Sequence, residues 1–232
     1  MTNFSKKKRI VALLPMKANS VRIKGKNFIN FCGKPLFKWI LDTLLSIKEI
    51  DQIVINTDAR KELLENNVFD TDKVLIRDRK KSICGDLISM NLVLADDIEN
   101  IAADFYVMVH ATSPLISAKT IKSCINTFTN DKNSDSLFTV NKFQTRFYRK
   151  DASPINHDPD NLIRTQDLEP WFEENSNLYI FSSESFHKTK ARIGIKPIMF
   201  ETPKSESIDI DNNDDLELAV IAMKQQKMLG NI

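Results

Sequence analysis

Two short stretches carry residue types that could do chemistry. The first, "SIDIDNNDD", sets Asp209 and Asp211 two residues apart. On an extended strand that spacing points both carboxylates to one side and turns Ile208 and Ile210 to the other, toward a core. Two carboxylates held together repel each other unless a cation or a basic group lies between them. Mg2+ takes such a sparse oxygen site when water and substrate phosphates complete its shell. Asp209, Asp211 and Asn213 also begin like a calcium loop. Asp214 then stands where that loop needs glycine and Val220 where it needs glutamate, which excludes an EF-hand. Asp214 or Asp215 could simply cap a final helix.

The second stretch, "LLPMKANSVRIKGKNFINF", runs from Leu13 to Phe31. It opens apolar and then places Lys17, Arg22, Lys24 and Lys26 among Asn19, Ser20, Gly25 and Asn27, with no acidic residue. Ammonium and guanidinium groups beside backbone N–H groups are a phosphate-binding chemistry. The loop is not a Walker A motif: Gly25 and Gly33 are wrongly spaced, and Lys34 is followed by Pro35 rather than Ser or Thr. It does not match GxGxxG either. On composition alone, a solvated basic turn explains it equally well.

The 232 residues are enough for one large domain, or for one domain with a sizeable insertion. Hydrophobic residues make up 42% and charged residues 28%, an ordinary globular mixture. The net charge of +2 is too small for a protein that lives on nucleic acid, so the basic loop is a local feature suited to a small anion. Cys32, Cys84 and Cys124 are odd in number and form no CxxC pair, as expected of free thiols in a reducing cytoplasm. "SKKKRIVALLPM" is too short in its apolar run, and too charged beyond it, for a signal peptide, so Ile10–Met16 reads as a first buried strand. No run approaches the ~18 apolar residues of a membrane helix.

Strands and helices alternate along the chain. After the first strand, Pro35–Ile47 reads as a helix with Pro35 in its first turn and Leu36, Phe37, Ile40, Leu41, Leu44 and Leu45 on one face. Then come a strand at Gln52–Asp58, a short helix from Ala59 to about Asn66, and a strand at Lys73–Arg77. A helix at Asp86–Asn100 has Asp86 near its start, and the strand from Phe105 runs into "HATSP". A helix at Ser117–Asp131 and a strand at Ser136–Phe143 follow. From about Lys142 to Asn175 the rhythm breaks in a stretch too long for an ordinary loop, which suggests a lid or a subunit-contact arm. "NLYIFS", "PIMFETP" and "SIDID" resume as strands, and a helix from about Asp214 to Leu229 closes the chain. The pattern predicts an α/β fold, a mostly parallel sheet with helices on both faces. Such sheets bind ligands at the carboxyl ends of their strands, so the basic loop, Asn56–Asp58, Arg77 and His110–Pro114 are expected to converge. Together with the paired carboxylates, this suggests nucleotidyl transfer.

The motifs, taken in order, resemble the acylneuraminate cytidylyltransferase family. Its signature, roughly R-x-x-S-K-R-I-x-G-K-N, is matched by Lys17-Ala-Asn-Ser20-Val21-Arg22-Ile23-Lys-Gly25-Lys26-Asn27. "GKPL", "NTD", "TSPL", "NLYIF" and "SIDID" follow in the family's order, so the resemblance spans most of the chain. Asn27, where the eight-carbon branch typically has proline, favours the sialic-acid-like branch.

The resemblance implies a three-layer, Rossmann-like nucleotide-diphospho-sugar transferase fold. The chain would be a single domain over 1–232, with a dimerisation or lid segment inserted at about 142–175 and a homodimer built on it. The implied reaction is Mg2+-dependent: CTP and a nine-carbon 2-keto-3-deoxy sugar acid give CMP-sugar and pyrophosphate. Carried over residue by residue, Lys17, Asn19, Ser20, Arg22, Lys26 and Asn27 would hold CTP, with Arg77, Asp86 and Ser89 nearby. Asp209 and Asp211 would hold the metal and act in catalysis with Lys17 and Lys26. His110, Arg164, Asn175 and Tyr179 would line the acceptor side. No nucleic acid and no membrane is implied as a partner. Lys17 in place of the usual Arg keeps charge but loses bidentate binding. Val21 replaces a usual Lys, and His110-Ala111 a usual Gln-Pro, which leaves the sugar's identity open. The alternatives are a nucleotidyltransferase acting on sugar 1-phosphates, which would want a glycine-rich loop this chain lacks, or a non-catalytic nucleotide-binding module.

Overall fold

The computed structural model describes residues 7–66 and 71–228. The first strand, β1 (Ile10–Leu13), is buried at every position. A strand buried on both faces is a continuous apolar run, and "IVAL" is one. The basic loop follows and ends in a small antiparallel hairpin, β2 (Asn30–Phe31) and β3 (Lys34–Pro35). Next come α1 (Leu36–Leu45), β4 (Gln52–Thr57), α2 (Arg60–Glu65), β5 (Val74–Asp78), α3 (Met90–Asn100), β6 (Phe105–Val109) and α4 (Ala118–Asn130). The chain continues through β7 (Ser136–Phe143), β8 (Trp171–Ser182), α5 (Ser183–Thr189), β9 (Pro197–Glu201) and α6 (Asn213–Met228). The expected end of the last helix, Leu229, lies outside the described residues.

Seven strands form one sheet in the order β5-β4-β1-β6-β8-β7-β9. Neighbours pair in parallel except around β8, which runs antiparallel to β6 and β7. Phe37, Ile40, Leu41 and Leu44 of α1 are fully buried against Ala12, Leu14, Ile53, Ile55 and Val107 on one face of the sheet. Each such side chain contributes about 1.5–3 kcal/mol on burial. On the other face, Leu94 and Ile98 of α3 and Phe186 of α5 cover Val11, Leu13, Val54, Tyr106 and Met108. A third cluster joins the hairpin to α6 through Phe31, Leu36, Trp39, Leu115, Ile210, Ala219 and Met223.

Expected boundaries differ by a residue or a few at several ends, and four differences matter most. Pro35 belongs to β3 and precedes α1 rather than opening its first turn. Asp86 is not helical: α3 starts at Met90, where the Ser89 hydroxyl accepts from the Asn91 N–H and caps the helix. β8 begins within the irregular stretch, because Trp171 and Phe172 pair with Phe143 and Lys142 at the extended end of β7. Ser207–Asp211 is not a strand; a single backbone bond, from the Ile210 N–H to the Thr112 carbonyl at 2.9 Å, lays it beside the exit of β6.

Candidate active site

The carboxyl ends of β1, β5 and β6 open into a cleft of about 580 Å³. Its upper wall is the basic loop, with Lys17, Ser20, Arg22, Lys26 and Asn27. Anchors at several points hold that loop. The Asn27 amide donates to the Lys17 carbonyl at 2.9 Å, and the Ala18 N–H donates to Asp58 of "NTD" at 2.7 Å. Gly25 turns with a φ of 61°, a left-handed conformation that costs glycine nothing, and starts the short 3₁₀ turn Lys26–Phe28. The loop is therefore placed by the fold, which a solvated basic turn would not be.

Asp209 and Asp211 face this loop from the opposite wall, on either side of the fully buried Ile210. Lys26, itself nearly buried, donates to the Ile210 carbonyl at 2.7 Å and to Asp211 Oδ1 at 3.0 Å. Arg22 meets the other oxygen of Asp211 at 3.0 Å. Burial alone would raise the Asp211 carboxyl, but Lys26 and Arg22 outweigh it and hold the group below the usual carboxylate range. Asp209 behaves oppositely. Burial raises it, a Thr112 hydrogen bond opposes the rise, and the neighbouring Asp211 charge adds to it. Its buried Oδ1 has no hydrogen-bond partner among the described residues. An orphaned carboxylate oxygen beside a second carboxylate suits a hard cation completed by water and phosphate oxygens, so these residues fit Mg2+.

His110 sits where β6 ends, on the cleft floor beside Thr112. Burial, then the Arg192 and Lys26 charges, push its pKa down to about 4, so the ring is neutral near pH 7. Its Nε2 is buried and unpartnered among the described residues. Ser176 reaches the cleft from a bulge in β8 with a left-handed φ of 60°.

The other expected residues divide. Asp86 lines the cleft and pairs with Lys17. Asn19 lies in an adjoining pocket with Lys17, Ser20 and Asp86. Tyr179 stands behind His110, with ring centres 6.4 Å apart, and its hydroxyl donates to Glu174. The Asn175 amide is buried against Asn141 and Thr202, at 3.1 and 2.7 Å. Ser89 is occupied as a helix cap.

Arg77 and Arg164 do not reach the cleft. Arg77 is spent on Asp96 and Asp97 of α3, and Arg164 lies in the excursion between β7 and β8, bound to Asp167 at 2.7 Å. The arginine that reaches the cleft from the β5 side is Arg79, just past the end of β5, which the sequence analysis did not single out. The same period-2 alternation that puts Arg77 on the α3 face puts residue 79 on that side too, beyond the cover of the helix.

The arrangement gathers four cations, Lys17, Arg22, Lys26 and Arg79, and a carboxylate pair in one cleft. It can hold a polyphosphate and stabilise negative charge that shifts within it. Among the described residues, no helix is long and apolar enough to cross a membrane.

Comparison with known proteins points the same way. A sequence model of the family described as "Cytidylyltransferase" matches residues 11–229. The pseudaminic acid cytidylyltransferase of Campylobacter jejuni is 25% identical over 225 residues, covering 92% of this chain and 96% of that protein. An N-acylneuraminate cytidylyltransferase of Oncorhynchus mykiss is 27% identical over 222 residues, covering 92% of this chain and 50% of the relative. Among solved structures, CMP:2-keto-3-deoxy-manno-octonic acid synthetase complexed with CTP superposes with a TM-score of 0.68 at 15% identity, over 94% of this chain and 99% of the other. The 2-C-methyl-D-erythritol 4-phosphate cytidylyltransferase of Francisella tularensis gives 0.66 at 15% identity, over 92% and 99%.

Proposed function

This chain belongs to the cytidylyltransferase family, and we propose that it transfers the CMP group of CTP to a nine-carbon 2-keto-3-deoxy sugar acid of the pseudaminic or sialic type, releasing pyrophosphate. The observation that carries this reading is the meeting of the basic loop with Asp209 and Asp211 in one cleft at the carboxyl ends of β1 and β6. The names of the relatives that match nearly the whole chain supply the acceptor class.

In this reading Lys17, Ser20, Arg22 and Lys26 bind the triphosphate, and Arg79 binds it from the β5 side. Binding exchanges ion pairs. Lys17 leaves Asp86, and Lys26 and Arg22 turn from Asp211 to phosphate oxygens, which frees the carboxylate. Asp209 and Asp211 would hold Mg2+, which supplies charge neutralisation at the α-phosphate and the leaving pyrophosphate. The acceptor's anomeric hydroxyl enters from the His110 side, where the neutral imidazole hydrogen-bonds a sugar hydroxyl or carboxylate. The exposed aromatic residues at the base of the excursion, Trp171 and Phe172, form a homodimer contact. We read the chain as one domain carrying this excursion. The free thiols Cys32, Cys84 and Cys124 suit the cytoplasm.

The test is pyrophosphate release with each nucleoside triphosphate in turn and a panel of keto-sugar acids that includes pseudaminic and N-acetylneuraminic acid. Release only with CTP plus such an acid supports the reading. Release with a sugar 1-phosphate instead, or with no CTP preference, overturns it.

A further inference from the structure

A chain of buried polar groups holds Arg79 in the cleft. Its Nε donates to the Asn56 side-chain oxygen at 3.0 Å, and its Nη2 donates to the carbonyls of Asn56 and Met16 at 2.8 and 2.9 Å. Asn56 is the penultimate residue of β4 and is fully buried. Its amide nitrogen turns the other way and donates to Asp97 Oδ1 at 2.8 Å. Asp97, also fully buried, is paired in turn with Arg77. An amide is the group this place requires, since it offers an acceptor to a guanidinium and a donor to a carboxylate at once. Asp97 pairs directly with Arg77, and Asn56 stands between Asp97 and Arg79. Two of the three Arg79 nitrogens are committed to protein, and Nη1 has no protein partner among the described residues.

We infer that Asn56 is a positioning residue for nucleotide binding: its amide couples the buried Asp97 carboxylate to the Arg79 guanidinium and leaves Nη1 fixed and charged for an anionic oxygen of the nucleotide. This rests on the CTP reading above. A guanidinium already locked at two nitrogens loses little side-chain freedom when the ligand arrives, so more of the contact appears as affinity.

The test compares CTP affinity by titration calorimetry, and KM and kcat with the sugar acid the parent turns over, in the parent, Asn56→Leu, Asn56→Ser, Arg79→Met and Asn56→Leu/Arg79→Met. Each Asn56 variant should weaken CTP roughly tenfold, the scale of hydrogen bonds to a charged group. The KM for CTP should rise while kcat changes by no more than about twofold. In the Arg79→Met background, Asn56→Leu should add nothing further, the mark of residues acting through one another. Parent-like CTP binding in the Asn56 variants, or losses that add in full, overturns the inference. Asn56→Ser covers the case in which leucine does not fit. If neither variant melts cooperatively, Asn56 is a folding determinant and the assignment falls. A parent that binds no CTP refutes the CTP reading itself, and this inference with it.

Discussion

Lys26 holds its ammonium 3.0 Å from the Asp211 carboxylate, joining the loop after β1 to the segment before α6 across 185 residues of sequence. In the function proposed above, each side chain would give up this partner on binding, Lys26 to a phosphate oxygen and Asp211 to a divalent cation.

Lys26→Met keeps the side-chain stem and removes the charge. Turnover should fall by roughly a hundredfold, the scale of losing one preorganised electrostatic contact. Stability should change in a pH-dependent way. Lys26 and Arg22 hold the Asp211 carboxyl below its ordinary value of 3.8 in the folded protein. A depressed carboxyl contributes stability that is present above 3.8 and is lost as pH falls through the folded value. Melting curves from pH 7 to pH 3 should therefore show the Lys26→Met deficit greatest near neutrality and shrinking in acid. A deficit independent of pH would contradict the ion pair's role.

His110 gives the opposite sign. Its folded pKa is pushed down to about 4 from an ordinary 6.5, by burial and by the Arg192 and Lys26 charges. Between those values the unfolded chain binds a proton that the folded protein does not, so the parent loses stability as pH falls through that window. His110→Gln should flatten this part of the curve relative to the parent. His110→Ala should raise KM for the sugar acid more than for CTP. A parallel pH profile, together with an unchanged sugar KM, would leave His110 with no part in either effect.

Much of this was legible from residue spacing. Continuous apolar runs marked β1 and β6 as buried parallel strands, and the spacing from Leu36 to Leu44 marked the inner face of α1. The basic loop and Asp209/Asp211 were legible as chemistry because like charges at close spacing need a counterion. The misses have physical causes. Arg77 and Arg79 are both arginines at one strand end, and the partners that distinguish them, Asp96 and Asp97, lie on a helix whose packing no local pattern states. The N-terminal half of β8 was hidden because Trp171–Glu174 gains strand structure only by pairing with the end of β7, a contact set by the return of the excursion. Alternation alone predicts a strand at Asp209 and Asp211. The alternation is real, since Ile210 is buried between them, but a single bond to Thr112 replaces a ladder.

The excursion between β7 and β8, together with the start of β8, carries exposed apolar side chains at Tyr148, Leu162, Ile163, Trp171 and Phe172. Such a concentration marks a contact surface. Sedimentation at micromolar concentration should show a homodimer, and the double substitution Trp171→Ser/Phe172→Ser should shift it toward monomer without unfolding it. A monomeric parent would contradict the assignment.

If Asp209 and Asp211 serve cytidylyl transfer in this cleft, pyrophosphate release from CTP in Asp209→Asn and Asp211→Asn is the decisive measurement. Each change keeps side-chain size and removes one charge. The fold, checked by melting, should survive, turnover with the parent's sugar acid should fall by roughly a hundredfold or more in each variant, and excess Mg2+ should restore part of it. Near-parent turnover in both variants, or parent activity that persists in a chelator, would contradict the account.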